Sequence, residues 1–134
     1  MKILVTDKTE QEVLQQLKTS GHEVVFNEMD PATLLAEISK YDALMVRSRT
    51  KVTAEVIEKG AKGNLKVIGR AGIGVDNIDL PTASKYSIKV VNAPTGATMS
   101  VAELALGLML AASRSIPQAD RSMKQGLWEK KAFK

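Results

Sequence analysis

Five short apolar runs rich in β-branched residues, alternating with longer segments of helical spacing, constrain this chain of 134 residues more than any other feature. The runs are residues 2–6 (KILVT), 23–26 (EVVF), 43–46 (ALMV), 66–69 (KVIG) and 89–92 (KVVN). Between them lie 10–18, 31–40, 54–62 and 80–85, and the long segment 101–114 closes the series. A strand followed each time by a helix must return over the face of the sheet. Strands joined in this way run parallel, with right-handed crossovers and helices on both faces.

The expected fold is therefore α/β: a flavodoxin-like, doubly wound, five-stranded parallel sheet with strand order 2-1-3-4-5. Val13, Leu14 and Leu17 form one apolar face in the first helical segment, with Gly21 just past its end as a stop and Thr9 or Lys8 near its start. Asp30 before Pro31, Thr53, and Asp79 before Pro81 read as N-caps of the next three helices. Ser100, with Glu103 three residues on, reads as a capping box for the fifth. Capping accounts for these polar residues without catalysis.

Composition excludes several functional classes. The chain has no cysteine, hence no disulfide framework, thiolate metal site or cysteine nucleophile, and a cytoplasmic location is expected. A single histidine, His22, rules out a multi-histidine metal cluster. The N-terminus turns polar after five residues, unlike a secretory signal, and the stretch 101–112 contains Glu103 and falls short of the ~20 residues that a bilayer demands. No membrane association is expected. The net charge of +4 could suit a nucleic acid, but only five aromatic residues are present and the lysines are dispersed. No nucleic-acid partner is expected, and the terminal cluster Lys124, Lys130, Lys131 and Lys134 reads as a polar linker.

In doubly wound sheets ligands bind at the carboxyl ends of the strands, here 6–8, 47–50, 70–77 and 93–98. The third strand opens into Arg47, Ser48, Arg49 and Thr50, a set of guanidinium forks and hydroxyls suited to carboxylate or phosphate, although one arginine could simply pair with an acid such as Asp42. The fourth leads into GRAGIGVDN, residues 69–77. Asn77 stands where a dinucleotide fingerprint would have its third glycine, and no acid follows between 92 and 98 to hold a ribose. The two glycines could serve only to permit positive φ, whereas free backbone N–H groups beside Arg70 would hold an anion. Around residues 101–110 the apolar side chains surround the helix, which predicts burial on all sides, against a second domain or another subunit.

Taken together and in order, RSRTKVT, GRAGIGVDNID, VVNAPTG and SVAELALGLML resemble the D-isomer-specific 2-hydroxyacid dehydrogenases, in particular those acting on D-3-phosphoglycerate. The resemblance spans nearly the whole chain. It implies a substrate-binding domain over residues 1–98. Residues 99–134 would be a helix and linker leading into a Rossmann NAD-binding domain that lies beyond this sequence. It further implies that Arg47, Ser48 and Arg49 contact the substrate's phosphate and carboxylate. Arg70 adds charge beside them, and the backbone at Ile73 and Gly74 receives the carboxylate next to the nicotinamide, with Ile73 the one residue facing the cofactor.

Relatives often carry asparagine where this chain has Ala97, so that polar contact is absent here. The Arg47–Ser48 pair keeps phosphoglycerate ahead of glyoxylate or lactate as substrate. The family's catalytic histidine, its partner glutamate and a further arginine fall downstream, and His22 matches none of them. The resemblance thus implies an oxidoreductase of serine biosynthesis, converting 3-phosphoglycerate to 3-phosphohydroxypyruvate with NAD. This chain alone is expected to be inactive, to bind no NAD, and to form a homodimer through helix 101–114, the alternative being that this helix folds back as the fifth helix of an autonomous domain.

Rival readings are weaker. A phosphoacceptor receiver domain also starts with a strand like ILVTD, but needs an aspartate after its third strand, where this chain has Arg47. An FMN-binding flavodoxin needs a hydroxyl-rich first loop and stacking rings that Tyr41, Tyr86 and Trp128 are not placed to supply. An isolated flavodoxin-like scaffold or interaction domain, with no catalytic function, is the remaining alternative.

Overall fold

A computed structural model describes residues 1–133. The chain divides into two compact units, Met1–Gly96 and Ala97–Lys134. In the first unit, strands β1 (Lys2–Val5), β2 (Glu23–Phe26), β3 (Ala43–Val46), β4 (Val67–Arg70) and β5 (Lys89–Asn92) alternate with four helices. These are α1 (Gln11–Thr19), α2 (Pro31–Glu37, extended by a 3-10 turn at Ile38–Lys40), α3 (Ala54–Ala61) and α4 (Leu80–Lys85). All neighbouring strands are parallel, in the order β2-β1-β3-β4-β5. This is the flavodoxin-like α/β topology that the alternation predicts.

Two-residue periodicity sorts the strand side chains onto two faces. Leu4, Leu44, Val46 and Ile68 point into the main core with Leu34 and Ile38 beneath α2, Val56 and Ile57 on α3, and Ala83 on α4. Ile3, Val5 and Ala43 point the other way, where α1 packs Leu14 and Leu17 against them. Leu4, Ile38, Ile57 and Ile68 are fully buried. At roughly 25 cal/mol per Å² of apolar surface removed from water, each contributes about 2–3 kcal/mol to holding the sheet under its helices.

Three of the predicted caps form. Asp30 accepts from the N–H groups of Ala32 and Thr33, Thr53 from Val56, and Asp79 from Thr82. Gly21 follows α1 at φ 81°, the left-handed conformation that favours glycine at a helix stop. Thr9, by contrast, does not cap α1; its hydroxyl donates to the Asp7 carbonyl.

Several boundaries differ from expectation. β4 runs one residue later than the expected 66–69, so Arg70 ends the strand, opposite Asn92 of β5. In the second unit, α5 spans Thr98–Ser113 rather than 101–114. The Val101 N–H already donates to the Ala97 carbonyl, which puts Ser100 inside the first turn; no side chain caps this helix and the capping box does not form. The stretch expected to be a polar linker contains a further helix, α6 (Ile116–Lys124), which begins after Ser115 breaks α5 with φ 51°. Pro117 in its first turn is tolerated there because that N–H would have no helical partner. Of the terminal lysine cluster, Lys124 ends α6 and Lys134 lies outside the described residues. No single described helix is long and apolar enough to cross a membrane; α5 and α6, bent by 65°, pass by length and composition only as a pair.

Candidate functional site

The carboxyl ends of β1, β3, β4 and β5 bring the predicted residues to one edge of the sheet. Val46, last in β3, stands opposite Arg70, last in β4, so the loops that follow emerge side by side. The Ala71 N–H donates to the Val46 carbonyl at 2.8 Å and ties the second loop to the first. Arg47, Ser48 and Arg49 are exposed on one loop, and Ile73 and Gly74 are exposed on the other, with Arg70 half-buried at its root. His22 lies instead at the amino end of β2, at the opposite edge.

The Arg47–Thr50 loop is built on two side chains from elsewhere in the chain. Asp7, just past β1 and only 2% exposed, accepts from the N–H of Arg47 at 2.6 Å and the N–H of Thr50 at 3.2 Å. The Thr50 hydroxyl donates to the same carboxylate at 2.5 Å and sits 3.0 Å from the Thr6 hydroxyl, from which it is free to accept. Asn77, 5% exposed, donates from its amide to the carbonyls of Arg47 and Thr50, both at 2.7 Å. The same two residues of the loop are thus held through their N–H groups by a carboxylate and through their C=O groups by a carboxamide. A parallel bridge between Val52 and Ile78 fastens the loop's exit.

The arginines also make contacts within this edge. The Arg47 guanidinium donates to the Lys8 carbonyl at 3.1 Å. Arg49 donates to the Thr6 carbonyl, and its Nε lies 3.3 Å from Asp7, with Glu28 3.8 Å from its terminal nitrogen. Each guanidinium carries five N–H donors, so both retain donors for a ligand. Asp42, the acid considered as an arginine partner, accepts from the Lys2 N–H instead. Burial works against the Asp7 carboxylate. Hydrogen bonds from the Thr50 hydroxyl and from the N–H groups of Arg47 and Thr50, with the Arg49 charge, more than offset it and hold the carboxyl below the usual aspartate range.

The second loop is pinned as well. Asn92 donates to the Ile73 carbonyl at 2.6 Å, and the Ala93 N–H to the Gly72 carbonyl at 3.0 Å. Among the described residues, the N–H groups of Ile73 and Gly74 have no acceptor and remain available to an anion. Neither Gly72 nor Gly74 has a positive φ, so the reading of this pair as a device for unusual backbone angles is incorrect. At Gly72 the Arg70 guanidinium occupies the space a Cβ would take, so a side chain there would displace the end of that arginine.

These residues do not make a dinucleotide site. Asn77 is committed to the neighbouring loop, and β4 leads to a helix of only six residues whose first turn is capped by Asp79. Nothing here offers the glycine-rich helix N-terminus that cradles a pyrophosphate. The side chain of Ile73 is half-exposed on this loop. What the edge can do is bind a small anion through two guanidinium groups, a hydroxyl and two free backbone N–H groups. It holds no histidine to take a proton.

Asp7 and Asn77 fall within the strand-end segments 6–8 and 70–77, but their hold on the Arg47–Thr50 loop was missed in the sequence. The signal for Asp7 was available: an acid at the carboxyl end of a central strand, in a topology that puts it beside Arg47 and Arg49.

A parallel α/β domain with an anion-receiving edge of this kind describes a class of ligand-binding domains, and comparison with known proteins narrows it. Residues 3–129 match the D-isomer specific 2-hydroxyacid dehydrogenase catalytic domain, and the chain belongs to that family. It is 54% identical to D-3-phosphoglycerate dehydrogenase of Archaeoglobus fulgidus over 134 residues, covering 99% of this chain and 25% of that protein. It is 48% identical to hydroxypyruvate reductase of Thermotoga maritima, covering 99% of this chain and 43% of that protein. The crystal structure of NAD+-bound 3-phosphoglycerate dehydrogenase from Entamoeba histolytica superimposes with a TM-score of 0.72 at 34% identity, over 85% of this chain and 39% of that one. The chain therefore spans about a quarter of the length of the phosphoglycerate dehydrogenase it matches.

Proposed function

We propose that the first unit is the substrate-binding half of an NAD-dependent D-3-phosphoglycerate dehydrogenase. Arg47, Ser48 and Arg49 receive the phosphate and carboxylate of 3-phosphoglycerate, Arg70 adds positive charge, and the N–H groups of Ile73 and Gly74 receive the carboxylate. The observation that carries this reading is the Arg47–Thr50 loop. Its ends are fixed by Asp7 and Asn77 while its two guanidinium groups stay at the surface. A phosphate needs this combination of fixed position and several charge-assisted donors.

Oxidation of the 2-hydroxyl requires a base to take its proton and an NAD to take its hydride. On this reading both are supplied by sequence outside these residues. Ile73 is the contact this chain lends to the nicotinamide, and the second unit leads toward the nucleotide-binding domain. The 134-residue chain alone is then a binding module in the cytoplasm, without turnover.

Calorimetric titration with 3-phosphoglycerate and with D-glycerate tests the reading. The phosphorylated acid binds more tightly, and Arg47→Gln weakens it about tenfold, as expected for one charge-assisted contact. Equal affinity for both acids would place the substrate with the hydroxypyruvate-type relatives instead. Incubated with NADH and phosphohydroxypyruvate, the chain oxidises cofactor at background rate; turnover above background overturns the inactive assignment.

A further inference from the structure

The anion-binding reading leaves two residues without a role: a buried carboxylate and a buried carboxamide, both hydrogen-bonded to the backbone of one surface loop. We propose that Asp7 and Asn77 are the positioning residues of the Arg47–Thr50 loop, acting as a two-sided clamp that fixes its anion-binding donors before any ligand arrives. The proposal rests on the reading of that loop as the substrate's anion site.

The geometry argues for a clamp rather than for incidental satisfaction of polar groups. Asp7 takes the N–H groups of the first and fourth residues of the loop, and Asn77 gives to the carbonyls of the same two residues. Their side chains thereby substitute for the strand partners that the backbone loses where β3 ends, and Ser48 and Arg49 are left at the tip. The Thr50 hydroxyl donates to the same carboxylate and locks that end a second time. A loop held at both ends loses little conformational entropy when it binds.

Charge makes the proposal testable by sign. Asp7 is an anion beside a site for anions, with Arg49 Nε 3.3 Å away. If Asp7 were only a nearby charge, removing that charge would strengthen phosphate binding. If it positions the donors, removing it weakens binding despite the electrostatic gain.

The experiment measures inorganic phosphate binding at pH 7 and amide hydrogen exchange, by nitrogen-15 NMR, on the 134-residue chain and three variants. Asp7→Asn is expected to weaken phosphate binding about tenfold, the loss of one charge-assisted hydrogen bond, and to speed exchange at the amides of Arg47 and Thr50. Asn77→Ala changes no charge and is expected to weaken binding in the same direction, so it carries the test if Asp7→Asn does not fold. Asp42→Asn removes a carboxylate that also accepts a backbone N–H, from Lys2 at the other end of β3, and leaves phosphate affinity unchanged. Tighter binding by Asp7→Asn, or fast exchange at Arg47 and Thr50 in the unsubstituted chain, overturns the clamp. Absence of phosphate binding in the unsubstituted chain, with those two amides protected, overturns the anion-site reading and leaves the clamp standing as a feature of the loop.

Discussion

Asp7 shows how one side chain governs the edge of this sheet. Its carboxylate is buried and accepts three hydrogen bonds, and its folded-state pKa lies below the ordinary aspartate value. A depressed carboxylate stabilises the fold fully above its unfolded pKa of ~3.9, and that stabilisation is lost as pH falls through the lower, folded value. Asp30 and Asp79 are shifted the same way by the N–H and hydroxyl groups of Thr33 and Thr82, so all three act in the same acid window. Urea midpoints measured from pH 5 down to about 2.5 should fall for the unsubstituted chain and fall less steeply for Asp7→Asn, which has no carboxyl at position 7 to protonate. Identical pH dependence in the two proteins would mean that Asp7 is not held as a charged acceptor. At this scale the position of the arginines was legible in the sequence, because they directly follow a strand, and the structure has both exposed at its carboxyl end. The hold of Asp7 and Asn77 on the loop was not, because it runs through backbone groups 40 and 30 residues away, which leave no trace in residue type; only the place of Asp7 beside the arginines was signalled, by the topology.

Among elements, the first unit was legible nearly throughout. Strand alternation, Asp30, Thr53 and Asp79 as caps and Gly21 as a stop are local chemistry that the fold keeps. The errors occur where tertiary pairing sets a boundary. β4 extends to Arg70 because its ladder partner reaches Asn92, and the arginine therefore leaves the strand end rather than the loop. α6 was hidden by its own polarity and by a proline that helices accept only in the first turn. α5 carries apolar residues on every side, and among the described residues of its own unit α6 is the only other helix. Leu104, Leu108 and Leu110 are each about 60% exposed, an apolar surface of the kind that marks an interaction site. From the sequence, α5 is expected to pair with its counterpart in a second copy. Sedimentation equilibrium should then report a dimer, and the double substitution Leu104→Lys, Leu108→Lys a monomer. A monomer of the unsubstituted chain across the accessible concentration range would refute pairing through α5.

On the scale of the whole molecule, family membership and the anion-binding edge fit together. The fold places four strand ends at one edge, and the sequence puts arginine, serine and free backbone N–H groups on the loops that leave it. Among the described residues this edge presents guanidinium and backbone N–H donors, with no histidine and no glycine-rich helix N-terminus. The central claim is that this chain recognises a phosphorylated 2-hydroxy acid at the ends of β3 and β4. The most direct test is an amide-resolved NMR titration with 3-phosphoglycerate. The predicted result is saturable shifts confined to the Arg47–Thr50 and Arg70–Gly74 loops, weaker with D-glycerate. Shifts centred elsewhere, or none at saturating ligand, would contradict the claim.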